Sequence, residues 1–144
     1  MYSNILVPTD GSDFVDTVLE HTIDIADGRD VTVHALYVVD DRAFLSMNDE
    51  MQEEVLENLK AEGEEATSVV KETLKKEGID VSMAVLRGKP ADVIVSYVTD
   101  ADIDLVTMGT QADEYEKNML GSTAQKVVQR SPVPVLTVGV SKSE

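Results

Sequence analysis

Apolar residues occur along the chain in short continuous runs, and between these runs lie segments where they recur every three or four positions. "NILVPTD" (Asn4 to Asp10) is an apolar run stopped by Pro8, the pattern of a buried strand entering a loop. A helix follows, with Ser12 or Asp13 available to cap it, Phe14, Val18, Leu19, Ile23, Ile25 and Ala26 at near-helical spacing, and Gly28 at its end. "VTVHALYVV" (Val31 to Val39) is rich in β-branched residues and predicts a second strand. After a polar connection, Met51, Val55, Leu59, Ala66, Val70 and Leu74 mark one face of a long helix from about Asp49 to Glu77, closed by Gly78. The remaining elements are a strand at Ile79 to Gly88, a short helix opened by Pro90, a strand at "IDLVTMG", a helix at "STAQKVVQRS" and a last strand at "VPVLTVGV".

Five strands alternating with four helices predict an α/β fold, a doubly wound five-stranded parallel sheet with helices on both faces. Ligands bind such sheets beyond the carboxyl ends of the strands, where the winding direction reverses. This directs attention to "PTDGS" after the first strand and "MGTQ" after the fourth. No internal repeat, low-complexity tract or interdomain linker breaks the series, so residues 1–144 are expected to form one domain.

Composition narrows the function classes. A chain of 144 residues with 42% hydrophobic content can bury roughly two thirds of its unfolded surface in one core. Its apolar runs fall far short of the ~20 residues that span a bilayer. The start "MYSNILVPTDGS" has no basic leader or long apolar stretch, so a cytoplasmic location is expected. With no cysteine there is no thiolate catalysis, disulfide or sulfur-ligated metal. The 28 Asp and Glu against 12 Lys and Arg give a net charge of −16. That balance disfavours DNA and anionic lipid as partners. It points to a salt-rich source, where screening removes the self-repulsion, with an ordinary acidic protein as the alternative.

The stretch "VTMGTQADEYEKNMLGSTAQ" (Val106 to Gln125) has the outline of a phosphate cradle. Gly109 opens the loop, and Gly121-Ser122 closes it at a helix start, where free N–H groups and the positive end of the dipole favour an anion. Between them stand Asp113, Glu114 and Glu116 against one Lys117.

The segments "ILVPTDGS", "ALYVVDD", "VLRGKPADVIVSYV", "DLVTMGT" and "LGSTAQKVVQRSPVPVLTV" together resemble the universal stress protein family over essentially the whole chain. The resemblance implies an adenine nucleotide alpha hydrolase-like, Rossmann-like sheet and a homodimer. It also implies, for the members that hold ATP, a nucleotide set corresponding here to Pro8, Thr9, Asp10, Val38, Met108, Gly109, Ala112, Gly121, Ser122 and Thr123. In that set Asp10 helps hold the nucleoside, and the backbone at Val38 meets the adenine.

The chain departs from the ATP-binding pattern of glycine, two residues, glycine, nine residues, then glycine and serine or threonine. Ala112 stands at the second glycine, and only eight residues, Asp113 to Leu120, separate it from Gly121. Alanine in a left-handed conformation costs ~1–2 kcal/mol. A carboxylate ~5 Å from a phosphate adds about 3 kcal/mol of repulsion at an effective dielectric of 20. Molar salt, or a magnesium ion between acids and phosphates, offsets that repulsion. Two readings therefore stand: a working ATP site, with or without magnesium, and a solvated acidic loop in a nucleotide-free dimer that acts through an unknown regulatory protein partner.

Other candidates have simpler readings. Asp10-Gly11-Ser12 is also a good turn and helix start. His21 and His34 lie in a helix and a strand with no Ser or Cys nucleophile to partner them, which makes them structural. Met47 and Met51 with Phe44 and Leu45 read as a helix packing on the core, with a partner surface as the alternative, and Lys89 as part of a turn, with a phosphate contact as the alternative. No base is placed to activate water, so hydrolysis beyond a slow ATPase is not expected. The last strand, Val133 to Val138, carries Pro134 and so belongs at a sheet edge, which pairing with the same strand of a second subunit would cover.

Overall fold

The structure, a computed structural model, describes residues 2–43, 46–110 and 121–139. The strands are β1 (Asn4–Pro8), β2 (Thr32–Asp40), β3 (Asp80–Gly88), β4 (Leu105–Gly109) and β5 (Val135–Val138). The helices are α1 (Val15–Ala26), α2 (Asp49–Lys75), α3 (Pro90–Asp100) and α4 (Ser122–Arg130). All strand pairs are parallel, in the order β3-β2-β1-β4-β5. The chain winds outward from β1 through β2 to β3, then returns to the other side of β1 for β4 and β5. The reversal therefore falls between β1 and β4, as the alternating pattern implies.

Strand side chains alternate between two helical layers. Ile5, Val7, Val33, Ala35 and Leu105 face a layer with Val18 and Leu19 of α1 and Val70 and Leu74 of α2. Leu6, Leu36, Val106 and Met108 face Ile94 and Val98 of α3 and Ala124 and Val127 of α4. A third cluster joins Tyr37 and Val39 to Ala66, with Met47, Val55 and Leu59 against it. Met47 is thus a core contact, while Met51 is half exposed at 50%. Phe44 and Leu45 lie outside the described residues.

Polar groups inside the fold are paired; among the described residues no buried side-chain nitrogen or oxygen lacks a partner. Thr22 of α1 donates to the Val18 carbonyl at 2.9 Å and shares a 2.8 Å hydrogen bond with Thr107 of β4. His34 is a structural residue, as expected. Its Nε2–H donates to Asn4 Oδ1 at 3.1 Å, which leaves Nδ1 to accept from the Tyr97 hydroxyl at 2.9 Å.

Partial burial pushes the His34 pKa below its ordinary value by disfavouring the imidazolium. The native state then binds this proton less readily than the unfolded chain, so its stabilising contribution is full above about pH 6.5 and is lost as pH falls through the lowered folded value. Urea unfolding midpoints at pH 7.5 and pH 5 should differ by more in the native sequence than in His34→Gln. Equal differences in the two proteins would contradict this.

Two boundaries differ from the sequence expectation. Neither Ser12 nor Asp13 caps α1 with its side chain; Phe14 occupies the cap position. The Ser12, Asp13 and Phe14 carbonyls accept from the N–H groups of Val15, Asp16 and Thr17, so the helix is entered through tight three-residue turns that already satisfy its first donors. β5 begins at Val135, leaving Val133 and Pro134 outside the strand, although the Pro134 carbonyl still accepts from Val106 N–H at 3.0 Å. Pro134 cannot donate to a ladder, and regular pairing starts at the next residue.

The net charge of −16 is spread over this small surface. Raising potassium chloride from 0.1 M to 1 M shortens the Debye length from ~10 Å to ~3 Å and removes most of the repulsion between exposed carboxylates. The thermal midpoint should therefore rise over this interval; a flat or falling midpoint would show that the carboxylates do not repel appreciably in the native state.

Candidate functional site

Three backbone segments meet at the carboxyl ends of β1 and β4. The first is the turn after β1. Thr9 N–H donates to the Leu36 carbonyl at 2.8 Å, anchoring the turn to β2. Thr9 Oγ1 then accepts from Gly11 N–H at 3.1 Å, and Asp10 Oδ1 accepts from Ser12 N–H at 2.9 Å. Gly11 has φ +86°, a conformation that a side chain would strain. Asp10 is exposed, with one carboxylate oxygen committed to the turn.

The second segment is the end of β4. Met108 is 6% exposed and its side chain packs into the α3/α4 layer, so only its backbone is available to a ligand. Gly109 is half-buried and is followed by Thr110, whose N–H donates to the Val138 carbonyl at 3.0 Å. The third is the start of α4. Gly121 N–H donates to the Thr110 carbonyl, which ties the end of β4 to the beginning of the helix. Gly121 is the cap residue and provides no side-chain hydrogen bond. Among the described residues no acceptor takes the N–H groups of Ser122, Thr123 and Ala124, the free donors of a helix start. This is a donor set suited to an anion.

Of the residues expected at the site, Pro8, Thr9, Asp10, Met108, Gly109, Gly121, Ser122 and Thr123 are brought to this end of the sheet by the topology. Val38 is half-buried near the end of β2, the strand next to β1. Ala112 lies outside the described residues, as do Asp113, Glu114, Glu116 and Lys117. Lys89 is exposed at the start of α3, as a turn residue. Among the described residues no group of three or more His, Asp or Glu side chains is arranged to hold a metal.

Sequence reasoning missed two features of this end. Asp40 closes β2 and takes a fork from Arg42, with Nη2 to Oδ2 at 2.6 Å and Nε to Oδ1 at 3.0 Å. These side-chain hydrogen bonds hold the Asp40 carboxyl below the usual range and keep it ionised. Arg87 of β3 reaches Asp41 at 2.7 Å. The second feature is Tyr37, on the opposite face of β2 from Val38. Burial, then the charges of Glu62 and Asp10, push its hydroxyl up from its ordinary value. The spacing Asp40-x-Arg42 was a readable signal for the first; nothing local signalled the second.

Comparison with known proteins agrees with this fold. Residues 1–139 match the model of the universal stress protein family. Universal stress protein MJ0531 of Methanocaldococcus jannaschii is 38% identical, the match covering 100% of this chain and 86% of that protein. The solved structure of MJ0577, a universal stress protein from the same organism, superposes with a TM-score of 0.87 at 29% identity, covering 100% of this chain and 99% of that one. The universal stress protein of Archaeoglobus fulgidus in complex with dAMP shares the fold, with a TM-score of 0.73 at 24% identity over 94% of this chain and 97% of that one. The chain belongs to the universal stress protein family.

Proposed function

We propose that this protein is a stress-responsive regulatory module that binds ATP at the carboxyl ends of β1 and β4. The observation that carries the reading is the hydrogen bond from Gly121 N–H to the Thr110 carbonyl. It sets the uncapped start of α4 beside the end of β4 whatever the length of the loop between them. The missing residue between Ala112 and Gly121 therefore does not remove the phosphate donors. The dAMP complex of the Archaeoglobus fulgidus relative supports an adenine nucleotide as the ligand class.

In this reading the N–H groups of Ser122, Thr123 and Ala124 hold phosphate oxygens, and Gly109 allows close approach of the backbone. The Thr9–Asp10 turn holds the ribose, and the backbone at Val38 lies against the adenine. Magnesium, if it accompanies ATP, supplies charge neutralisation between the phosphates and nearby carboxylates. In this reading ATP acts as a bound signal rather than as a substrate.

The protein works as a homodimer joined through β5. This strand ends the sheet, and Leu136 on it and Val128 on α4 are exposed at 36% and 44%. Beside it an open groove is lined by Ile25, Leu105, Val135 and Leu136, with Asp24, Asp27 and Arg29 at its charged side. A four-residue apolar edge of this kind needs a cover.

A second reading, a nucleotide-free dimer that acts through protein contacts, rests on Ala112 and the shortened spacing. The two are separated by releasing bound small molecules from freshly purified protein with acid and identifying them by chromatography. Adenine nucleotide in stoichiometric amount supports the first. Nucleotide-free protein that also fails to take up added ATP supports the second.

A further inference from the structure

The two edges of the sheet are built differently. β5 has four residues and is preceded by Pro134, whereas β3 has nine, in unbroken register with β2 from Asp80 to Gly88 and without proline or bulge. Among the described residues no strand lies on its outer side. None of its residues is fully buried, and Met83 and Leu86 are exposed at 44% and 41%. Edge strands are ordinarily blunted by shortness, proline, a bulge or an inward charge. From Val81 to Leu86 this one has none of these.

The hydrogen bonds show which backbone groups of β3 are turned outward. Thr32 N–H donates to the Ser3 carbonyl and the Leu36 carbonyl accepts from Thr9 N–H, so the even-numbered residues of β2 bond to β1. Successive residues of a strand turn their N–H and C=O to opposite sides, so Val33, Ala35 and Tyr37 bond to β3. Their register partners are Val81, Met83 and Val85, and a parallel ladder joins each to the residues flanking its partner: Asp80, Ser82, Ala84 and Leu86. The N–H and C=O groups of Val81, Met83 and Val85 therefore face away from the sheet, at the spacing that one more strand requires.

Charge narrows what fits there. The chain has 28 acidic residues against 12 basic, yet from Lys71 to Lys89 the balance reverses, with Lys71, Lys75, Lys76, Arg87 and Lys89 against Glu72, Glu77 and Asp80. The four lysines are exposed and form no ion pair with a described residue. Lys75 and Lys76 end α2 beside the start of β3, and Lys89 follows its end, so cations stand at both ends of the open edge. At 0.1 M salt charges beyond ~10 Å are screened, and this local balance decides. A second copy of the chain would bring its own charge of −16 to the contact, which a short segment does not.

We propose that the outer edge of β3 docks an extended segment of a partner protein, apolar in its middle and acidic at its ends, which adds to the sheet as a further strand. Main-chain hydrogen bonds to Val81, Met83 and Val85 hold it, its alternating side chains cover Met83 on one face and Leu86 on the other, and the lysines select its acidic ends. The edge lies across the sheet from β5, so it is open in monomer and dimer alike, with or without nucleotide.

The test adds to the full chain a synthetic peptide of alternating valine and threonine with glutamates at both ends, and follows amide exchange residue by residue. At a peptide concentration about ten times its dissociation constant, the amides of Val81, Met83 and Val85 should slow about tenfold, while those of Ser82, Ala84 and Leu86, already bonded to β2, change little. The same peptide with lysine ends should bind about tenfold more weakly at 0.1 M potassium chloride, a gap that narrows at 1 M. Met83→Pro removes an outward donor and no bond to β2, so it should fold and lose the peptide. Should it fail to fold, a peptide N-methylated along its length, offered to the unaltered protein, carries the comparison and should not bind. No slowing at β3 with millimolar peptide overturns the proposal, as does undiminished binding by folded Met83→Pro, by the N-methylated peptide or, at 0.1 M salt, by the lysine-ended one. Slowing at β3 that follows protein concentration without peptide also overturns it, and assigns the edge to a second copy.

Discussion

Gly121→Asp should lose ATP binding by about a hundredfold while the fold stays as stable as before or becomes slightly more so. Gly121 has φ −65° and ψ 162°, extended backbone that any residue adopts, so aspartate introduces no strain. At a helix cap, aspartate is better than glycine by a few tenths of a kcal/mol, because its carboxylate accepts from the second or third N–H of the helix. Those N–H groups belong to Thr123 and Ala124, the donors assigned to phosphate. The new carboxylate thus occupies the anion site and repels a phosphate ~5 Å away by about 3 kcal/mol at an effective dielectric of 20. That energy corresponds to roughly two powers of ten in affinity. Thermal unfolding and ATP titration of the same variant check both halves. Unchanged affinity would mean that phosphate is held elsewhere; a collapse in stability would mean that Gly121 is there for packing.

If the proposed dimer forms through β5, Leu136→Asp should convert it to monomer without unfolding the subunit. Leu136 is 36% exposed on the edge strand, so aspartate there meets solvent in the isolated chain and costs the fold little. In a dimer joined through β5 the substitution acts twice, once in each copy. Each leucine contributes about 1.5–3 kcal/mol on full burial. Two carboxylates would also have to be desolvated without partners. The dissociation constant should rise by at least about a hundredfold, since each 1.4 kcal/mol is a factor of ten. Molar salt screens the repulsion but not the desolvation, so the loss should persist in high potassium chloride. Sedimentation at both salt concentrations measures it. A dimer that survives in Leu136→Asp would place the interface on another surface.

The architecture was legible because each strand and helix carries its own punctuation. Pro8 stops β1, Pro90 opens α3, Gly28 and Gly78 follow α1 and α2, and the apolar period changes between neighbouring elements. Boundaries were less legible where tertiary hydrogen bonds decide them. α1 starts late because Ser12 and Asp13 are drawn into the turns before it, and β5 starts at Val135 because only there does pairing with β4 become regular. The candidate site was legible in its glycines and its Thr-Asp turn, which local spacing exposes. Its closure was not, since the bond between Gly121 and Thr110 depends on how the loop returns.

In the proposed function the first-turn N–H groups of Ser122, Thr123 and Ala124, with Gly109 beside them, form a working nucleotide site despite Ala112 and the short loop. Calorimetric titration of magnesium ATP into the native protein in molar potassium chloride tests it most directly. Saturable heat at one nucleotide per subunit is expected. No heat at millimolar ATP, with the protein folded and dimeric, would contradict it and turn the search toward protein partners.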